Sequence, residues 1–299
     1  MSEINWYALN ELPQAQEWQS LLNTDTDDTC YCYLLIDQCR LDQCMRKVFM
    51  ACDLPEYEYL YLKTDSQHLL EVSPVLIECT HEPWLYAEVI AELRAERAGL
   101  IIESHLPHQQ LADHLRRYLV VPDDGGESYL RFYDPAVWLA LLLLQQHNLI
   151  KADVITQVIF PHWLKTETAL WVSDQSESVN SGHQPKELTS GKNLNTGDEF
   201  DDIAIRTRLL YWVGQHETLQ GQDWMMNEFQ ELFDVLLKLV ARDVTDIWEL
   251  EFWLPILVSA PECLGAAWLT EYLATCDVSF LGRERLQELL TERQYADEM

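Results

Sequence analysis

Basic side chains are scarce in this 299-residue chain. It has 20 Lys and Arg against 50 Asp and Glu, a formal net charge of −30. Each successive block of fifty residues has a net negative charge, so the acidity is not confined to a tail. Such a charge repels nucleic-acid phosphates and anionic lipid headgroups. We therefore expect no general binding to nucleic acid or to membrane surfaces, and a basic region of another protein is the more favourable partner.

The chain also lacks segments that would carry it into or across a membrane. Residues 1–6 have no basic stretch, and no apolar core follows them as in a signal peptide. The longest apolar runs, at 136–144 and 252–258, are well short of the ~20 residues that span a bilayer. We therefore predict a soluble, cytoplasmic protein.

Common signatures of enzymes and cofactor sites are missing. The chain contains no G-x-G-x-x-G or G-x-x-x-x-G-K phosphate loop, no G-x-S-x-G nucleophile turn and no H-E-x-x-H zinc motif. With only 10 glycines, few backbone cradles are available for a phosphate. These absences give no sequence support for a nucleotide cofactor, a serine-hydrolase site or a zinc-protease site.

Cysteine and histidine are present, but not in metal-ligand spacing. No C-x-x-C pair occurs among the 8 cysteines, so we expect reduced and mostly buried thiols. His105, His108 and His114 cluster near the start of one predicted helix, with offsets that match no known ligand pattern. We expect these histidines to be surface residues.

Strands alternate with helices in the first part of the chain. Residues 30–36 form a continuous apolar run ended by Asp37, typical of a strand buried on both faces. Further strands are predicted at 57–62, 74–79, 129–133, 155–163 and 169–172, and helices at 41–51, 83–96, from 107 and from 134 to 146. This alternation predicts an α/β lobe over residues 1–174, with a mixed sheet and flanking helices.

The remainder of the chain has a different pattern. Residues 175–199 are rich in Ser, Asn and Gly and nearly devoid of apolar residues, which indicates a flexible linker or long loop. From residue 200 to 299, apolar residues recur at helical spacing, as at Ile205, Leu209 and Trp212. We predict an acidic, all-helical C-terminal lobe, in which Pro255 bends or stops a helix.

Two carboxylates suggest a possible catalytic site. Asp37 and Asp134 each follow a predicted strand, and strand ends commonly line ligand crevices of α/β sheets. They could perform acid–base chemistry while Arg131 holds an anionic substrate. The structural alternative is favoured: Asp134 caps a helix that has Pro135 in its first position, Asp37 caps the helix that starts near Leu41, and Arg131 pairs with either.

Tryptophan is unusually frequent in the predicted helical lobe. Of the 11 tryptophans, five lie there, and any left exposed could anchor a protein partner. Trp224, at a predicted helix start, is the strongest candidate, although packing in the core is an equal alternative. The candidate partner-binding residues are Trp212, Trp224, Trp248, Trp253 and Trp268.

One stretch resembles a known family. Arg131-Phe132-Tyr133-Asp134-Pro135 is similar to the Arg-aromatic-Tyr-Asp-Pro motif of the type VI secretion effector adaptors, also called effector chaperones or Tap/TEC proteins. Residues 33–37, 73–77 and 111–121 resemble three further family segments in the same order, so the resemblance covers residues 30–165. Two positions differ: Gln38 stands where the family often has Gly, and Ala136 where a basic residue is common.

The resemblance implies a cytoplasmic, non-enzymatic adaptor. Such proteins bind a toxic effector, stabilise it and help load it onto the VgrG spike. Their N-terminal domain is shared, and their C-terminal lobe varies with the cargo. Arg131, Tyr133 and Asp134 would then organise the sheet edge. Two alternatives remain: an acidic immunity or inhibitor protein that neutralises a basic toxin, and a hydrolase that uses Asp37 and Asp134.

Overall fold

The structure, a computed structural model, describes residues 7–9, 30–80, 83–123, 126–144, 146–152, 154–161, 171–175, 198–216, 219, 226–242 and 247–297. The chain divides into two compact units, Met1–Tyr211 and Trp212–Met299. The division falls within one helix, Asp198–Gln215. The predicted linker, residues 175–199, lies almost wholly outside the described residues. The predicted boundaries of the two lobes at 174 and 200 therefore stay predictions.

A seven-stranded sheet organises the first unit. Its strands are β1 (Tyr7–Leu9), β2 (Tyr31–Asp37), β3 (Tyr57–Tyr59), β4 (Pro74–Glu78), β5 (Gly99–Ser104), β8 (Ile155–Pro161) and β9 (Trp171–Gln175), and a separate hairpin comprises β6 (Val120–Asp123) and β7 (Gly126–Tyr129). The order across the sheet is β1-β9-β8-β5-β2-β4-β3. All pairings between the described strands are antiparallel. The predicted α/β class is confirmed.

Strand β2 runs through the interior of this sheet, as its apolar sequence predicted. It pairs with β4 on one side and β5 on the other. Residues 33–36 are completely buried. A charged residue in a strand that is covered on both faces and both edges needs a partner inside the protein. Asp37, at the end of β2, therefore requires hydrogen-bond donors from the residues around it.

Helices cover both faces of the sheet. They are α1 (Cys44–Ala51), α2 (Ala87–Ala95), α3 (His108–Arg116), α4 (Pro135–Leu143) and α5 (His147–Lys151), with 3₁₀ turns at Asp65–Val72 and Pro83–Tyr86. On one face, Leu34 and Ile36 belong to a core cluster with α1 and α2. On the other face, the Tyr33 ring stacks on His108 of α3, with ring centroids 6.0 Å apart.

The second strand of the hairpin lies earlier in the chain than the sequence indicated. We predicted a strand over 129–133, but β7 spans Gly126–Tyr129 and shares only Tyr129 with that range. The Asp134 amide donates to the Arg131 carbonyl at 2.8 Å, which closes a turn where the strand was expected. Polar contacts of the turn residues, rather than strand propensity, decide this segment.

The second unit is helical, as predicted. Helix α6 (Asp198–Gln215) leads into it, followed by α7 (Met226–Val240), α8 (Ile247–Val258), a 3₁₀ turn at Pro261–Cys263, α9 (Ala267–Thr275) and α10 (Phe280–Asp297). Helix α8 packs on α7 and α10, and α7 packs on α9. Pro255 does not stop α8, which continues to Val258. Among the described helices, none is both long and apolar enough to cross a membrane.

None of the 8 cysteines, all of which lie in described residues, is in a disulfide. Four are buried: Cys32, Cys44, Cys79 and Cys276. The Cys79 and Cys32 sulfurs are 3.3 Å apart, and this hydrogen bond together with burial raises the pKa of Cys32. Burial raises the pKa of Cys44 to about 12. The Cys32 and Cys44 thiols therefore stay protonated at neutral pH.

The expectation of surface histidines on α3 is wrong for two of the three. His108 and His114 are buried because α3 turns this side toward the sheet and α5. The His114 Nε2 donates to the Ile150 carbonyl at 2.6 Å. Burial is the main cause of a lowered pKa at His114, although the bond to Ile150 opposes it.

The buried His114 should make stability depend on pH. The unfolded chain carries this group with a pKa near 6.5, so below that pH it binds more protons than the folded chain and the free energy of unfolding falls. We expect His114→Gln, which retains an amide donor but does not titrate, to flatten this dependence. Urea unfolding of both proteins between about pH 5 and 7.5 measures it. Parallel pH profiles for the two proteins would contradict the assignment.

Candidate functional site

The family-like motif forms a polar junction at the end of β2. The Arg131 Nη2 donates to the Asp37 Oδ2 at 2.5 Å. The other oxygen, Oδ1, accepts from the Cys39 amide at 3.1 Å. Asp37 is 1% exposed, whereas the Arg131 side chain is about half exposed. We call the group Asp37, Arg131, Tyr133 and Asp134 the motif junction.

Asp134 begins helix α4, as the sequence predicted. Its Oδ1 accepts from the Ala136 amide at 2.9 Å, and Pro135 occupies the first turn. An aspartate cap satisfies an amide that has no partner within the helix, and its charge is favourable at this end of the helix dipole. The N-cap role predicted for Asp134 is confirmed.

Two residues beyond the motif also contact Asp134. The Tyr211 hydroxyl of α6 donates to the Asp134 Oδ2. The Arg40 Nη1 lies 3.8 Å from the Oδ1, and the Arg40 guanidinium lies 5.0 Å from the centroid of the Tyr211 ring. Since the Arg40 amide also donates to the Asp37 carbonyl at 3.0 Å, Arg40 connects the two aspartates.

The aromatic residues of the motif face the interior. Phe132 is completely buried, and so is most of Tyr133. The hydroxyls of Tyr133 and Tyr61 are 3.2 Å apart, and the Arg131 guanidinium lies 5.8 Å from the Tyr133 ring centroid. The motif thus joins the β3–β4 end of the sheet to the start of α4.

The pKa shifts of Arg131, Tyr133 and Tyr211 favour the ordinary charge state of each of these side chains. Burial would lower the pKa of Arg131, but the Asp37 carboxylate outweighs it and the net shift is upward. Burial also raises the pKa of Tyr133 and, with the Asp134 charge, that of Tyr211. Both tyrosines therefore remain neutral donors near pH 7.

The carboxylates of the catalytic hypothesis are engaged in structural contacts. Asp37 accepts from Arg131 and the Cys39 amide, and Asp134 accepts from the Ala136 amide and Tyr211. A general base needs a lone pair directed at substrate, and these contacts already use both oxygens of each group. The arrangement is suited to holding the β2 end, α4 and α6 together.

The three tryptophan candidates whose side chains the structure describes differ in exposure. Trp253 is completely buried in the second unit, so it is a core residue and is removed from the partner-binding set. Trp212 and Trp268 are half-buried: Trp212 lies edge-on to His216, and the Arg293 guanidinium lies 4.3 Å from the Trp268 ring centroid. Trp224 lies outside the described residues, and Trp248 lies on α8, where its side chain is not described.

Sequence reasoning missed Arg40, Tyr61 and Tyr211. Arg40 follows Asp37 by one turn of chain, so it could have been considered as a local partner. Tyr61 and Tyr211 are far from the motif in sequence, and no spacing pattern connects them to it. Only the fold brings these hydroxyls to the junction.

A family model matches the part of the chain that contains this junction. Residues 32–148 match the family described as Domain of unknown function (DUF4123). This family is known in type VI secretion effector adaptors. The matched range lies inside residues 30–165, where the sequence resemblance was found, and includes the whole motif. No curated protein and no solved structure gives a significant match.

Removing Arg131 should destabilise the first unit. Arg131→Ala would leave the buried Asp37 carboxylate with one amide donor among its described partners. We expect a loss of about 2–3 kcal/mol in the free energy of unfolding, less than for a fully buried pair because the guanidinium is half exposed. Urea unfolding of the full chain measures the change.

A double-mutant cycle tests whether this loss reflects the pair. Arg131→Ala should cost less in an Asp37→Ala background than in the original chain. Arg285→Ala is the control, because Arg285 pairs with Glu288 on the surface of α10. It should leave the unfolding midpoint unchanged. Additive effects of the Asp37 and Arg131 substitutions would exclude the coupling.

Proposed function

We propose that this chain is a cytoplasmic adaptor that binds a type VI secretion effector and helps load it onto the VgrG spike, without catalysing a reaction. The observation that carries the proposal is the DUF4123 match over residues 32–148, which includes the whole motif. Within this range, Arg131 and Asp134 make contacts that connect parts of the fold.

The absence of catalysis is argued from the motif junction. Both aspartates are almost completely buried and accept hydrogen bonds from neighbouring residues. Substrate could reach them only by displacing these contacts, which would leave buried groups unpaired at a substantial cost. We therefore propose that the motif holds the adaptor domain in shape.

The charge of the chain supports binding to another protein. A net charge of −30 steers a basic partner toward the surface and speeds encounter, especially at low salt. The same charge favours a second candidate, an acidic inhibitor or immunity protein that blocks a basic toxin. The two candidates differ in what happens to the toxin: an adaptor delivers it, whereas an inhibitor silences it.

Deleting the gene in a strain with an active type VI system separates these functions. We expect secretion of the toxin encoded beside it to be lost, because the toxin is no longer loaded, while secretion of the spike protein continues. Immunoblots of culture supernatant and cell pellet measure both, and expression of the full chain in trans should restore toxin secretion. Unchanged toxin secretion would refute the adaptor proposal.

Toxicity in a strain without the secretion system provides the second arm. There the toxin is produced alone, with the chain, or with a dedicated immunity protein as the positive control. An adaptor should leave growth inhibition largely unrelieved, because it does not need to block the toxin's active site. Full rescue of growth by the chain would favour the inhibitor instead.

A further inference from the structure

An exposed apolar surface lies at the β3 end of the sheet, where α1 meets β3. Met50 lies on α1 and Leu54 follows this helix, and the two are 76% and 90% exposed. Phe49 on α1 and Tyr57 on β3 are also partly exposed. Several exposed large apolar side chains within one short segment commonly mark an interaction site. We call residues Phe49, Met50, Leu54, Tyr57 and Tyr59 the aromatic edge.

The rings of the aromatic edge form a continuous row. Phe49 and Tyr57 meet edge-to-face, with centroids 5.7 Å apart, and Tyr57 meets Tyr59 in the same way at 5.7 Å. Tyr59 also lines an open hollow of about 450 Å³, whose other lining residues are 38–46. The row of rings and the hollow are therefore connected through Tyr59.

The backbone of β3 has one edge directed away from the sheet. Within the described strands, β3 is the last in the order and pairs only with β4. The Glu56 carbonyl accepts from Glu78, and the Leu60 amide donates to Pro74, so these groups face β4. By the alternation of a strand, the amides of Tyr57 and Tyr59 and the carbonyl of Tyr57 face outward. The Tyr59 carbonyl already accepts from the Leu62 amide at 3.1 Å and from the Arg116 Nη2 at 3.2 Å. The edge around Tyr57 can accept a short added strand.

The local charge differs from that of the whole chain. Residues 38–63 contain equal numbers of basic and acidic side chains, in a protein with a net charge of −30. These are Arg40, Arg46, Lys47 and Lys63 against Asp42, Asp53, Glu56 and Glu58. Several of these charges are also compensated by ion pairs, Lys47 with Glu92 and Lys63 with Glu58. Compensated charges give little electrostatic preference for a basic segment, so an uncharged segment fits this part of the chain better.

We propose that the aromatic edge binds an extended, uncharged apolar segment of a partner polypeptide, which adds a strand to β3. Main-chain hydrogen bonds would hold the segment, and alternate side chains would rest on the row of rings. This inference rests on the proposed function only where it identifies the partner as the effector. The net negative charge of the whole chain would attract the effector, and the aromatic edge would then bind its uncharged segment.

Peptide binding to the full chain tests the surface directly. The probe is a fluorescein-labelled nonapeptide of alternating valine and threonine, and its counterpart carries proline at the centre. We expect saturable binding of the alternating peptide in fluorescence polarisation and at least about tenfold weaker binding of the proline peptide, because proline removes a strand amide. An uncharged helical peptide of alanine and glutamine that binds more tightly than both would overturn the proposal.

A charge-matched pair of variants locates the site. Met50→Glu with Leu54→Glu places two charges on the aromatic edge, and we expect about tenfold weaker peptide binding. Phe280→Glu with Leu281→Glu is the control, because these side chains of α10 are exposed to a similar extent, 60% and 67%. It should bind within about twofold of the original chain. Equal loss in both variants would refute a local site.

Two substitutions at Tyr57 separate the ring from the strand. Tyr57→Ala removes the ring and keeps the outward amide, whereas Tyr57→Pro removes both. We expect Tyr57→Pro to bind the peptide several-fold more weakly than Tyr57→Ala at equal unfolding midpoints. Equal binding would exclude strand addition. If Tyr57→Pro does not fold, the proline-containing peptide gives the same comparison from the partner's side.

A second copy of the chain is the competing occupant. Light scattering over a concentration series would detect a dimer, and dissociation of that dimer by Met50→Glu with Leu54→Glu would overturn the proposal.

Failure of the aromatic-edge proposal and failure of the adaptor proposal give different experimental results. If toxin secretion depends on the chain but the edge variant secretes normally and binds no peptide, only the surface assignment fails. If peptide binding locates to the edge but toxin secretion is independent of the chain, only the adaptor function fails.

Discussion

A buried carboxylate at the end of a fully covered strand is the constraint on which the first unit depends. Asp37 follows four completely buried residues and is itself almost inaccessible, so its charge needs a partner inside the protein. Arg131 supplies that partner, and its pairing positions the turn from which Asp134 caps α4. Tyr211 and Arg40 then assemble on Asp134. One ion pair thus determines where a loop, a helix start and a second helix meet.

The charges and the apolar surface of this protein act at different ranges. The net charge of −30 acts over roughly a Debye length of about 10 Å and affects encounter. The aromatic edge acts only on contact, where burial of apolar area and main-chain hydrogen bonds provide affinity. An adaptor has use for both, because it must find its cargo quickly and hold it without chemical change. Under the proposed function, the motif junction maintains the domain, and the partner would bind at the neighbouring aromatic edge.

Local patterns predicted local features well. The apolar run before Asp37 gave a buried strand, and Asp134-Pro135 gave a capped helix, because each depends on neighbours within a few residues. Predictions that needed knowledge of the opposing surface were poorer. His108 and His114 were expected at the surface, yet α3 turns them inward, and Trp253 proved to be a core residue. Helix α8 also continues past Pro255, because packing on α7 and α10 outweighs the lost amide bond.

The sequence by itself determined the strong net acidity, the α/β and helical character of the two regions, and the positions of the buried strand and the helix cap. Each follows from composition or from short-range periodicity. Only the tertiary structure decided that the sheet pairs antiparallel in the order β1-β9-β8-β5-β2-β4-β3, that Tyr61 and Tyr211 join the motif, and that Phe49 meets Tyr57 at an exposed edge. The reason is physical: these contacts join residues distant in the chain, and their geometry depends on how whole elements pack.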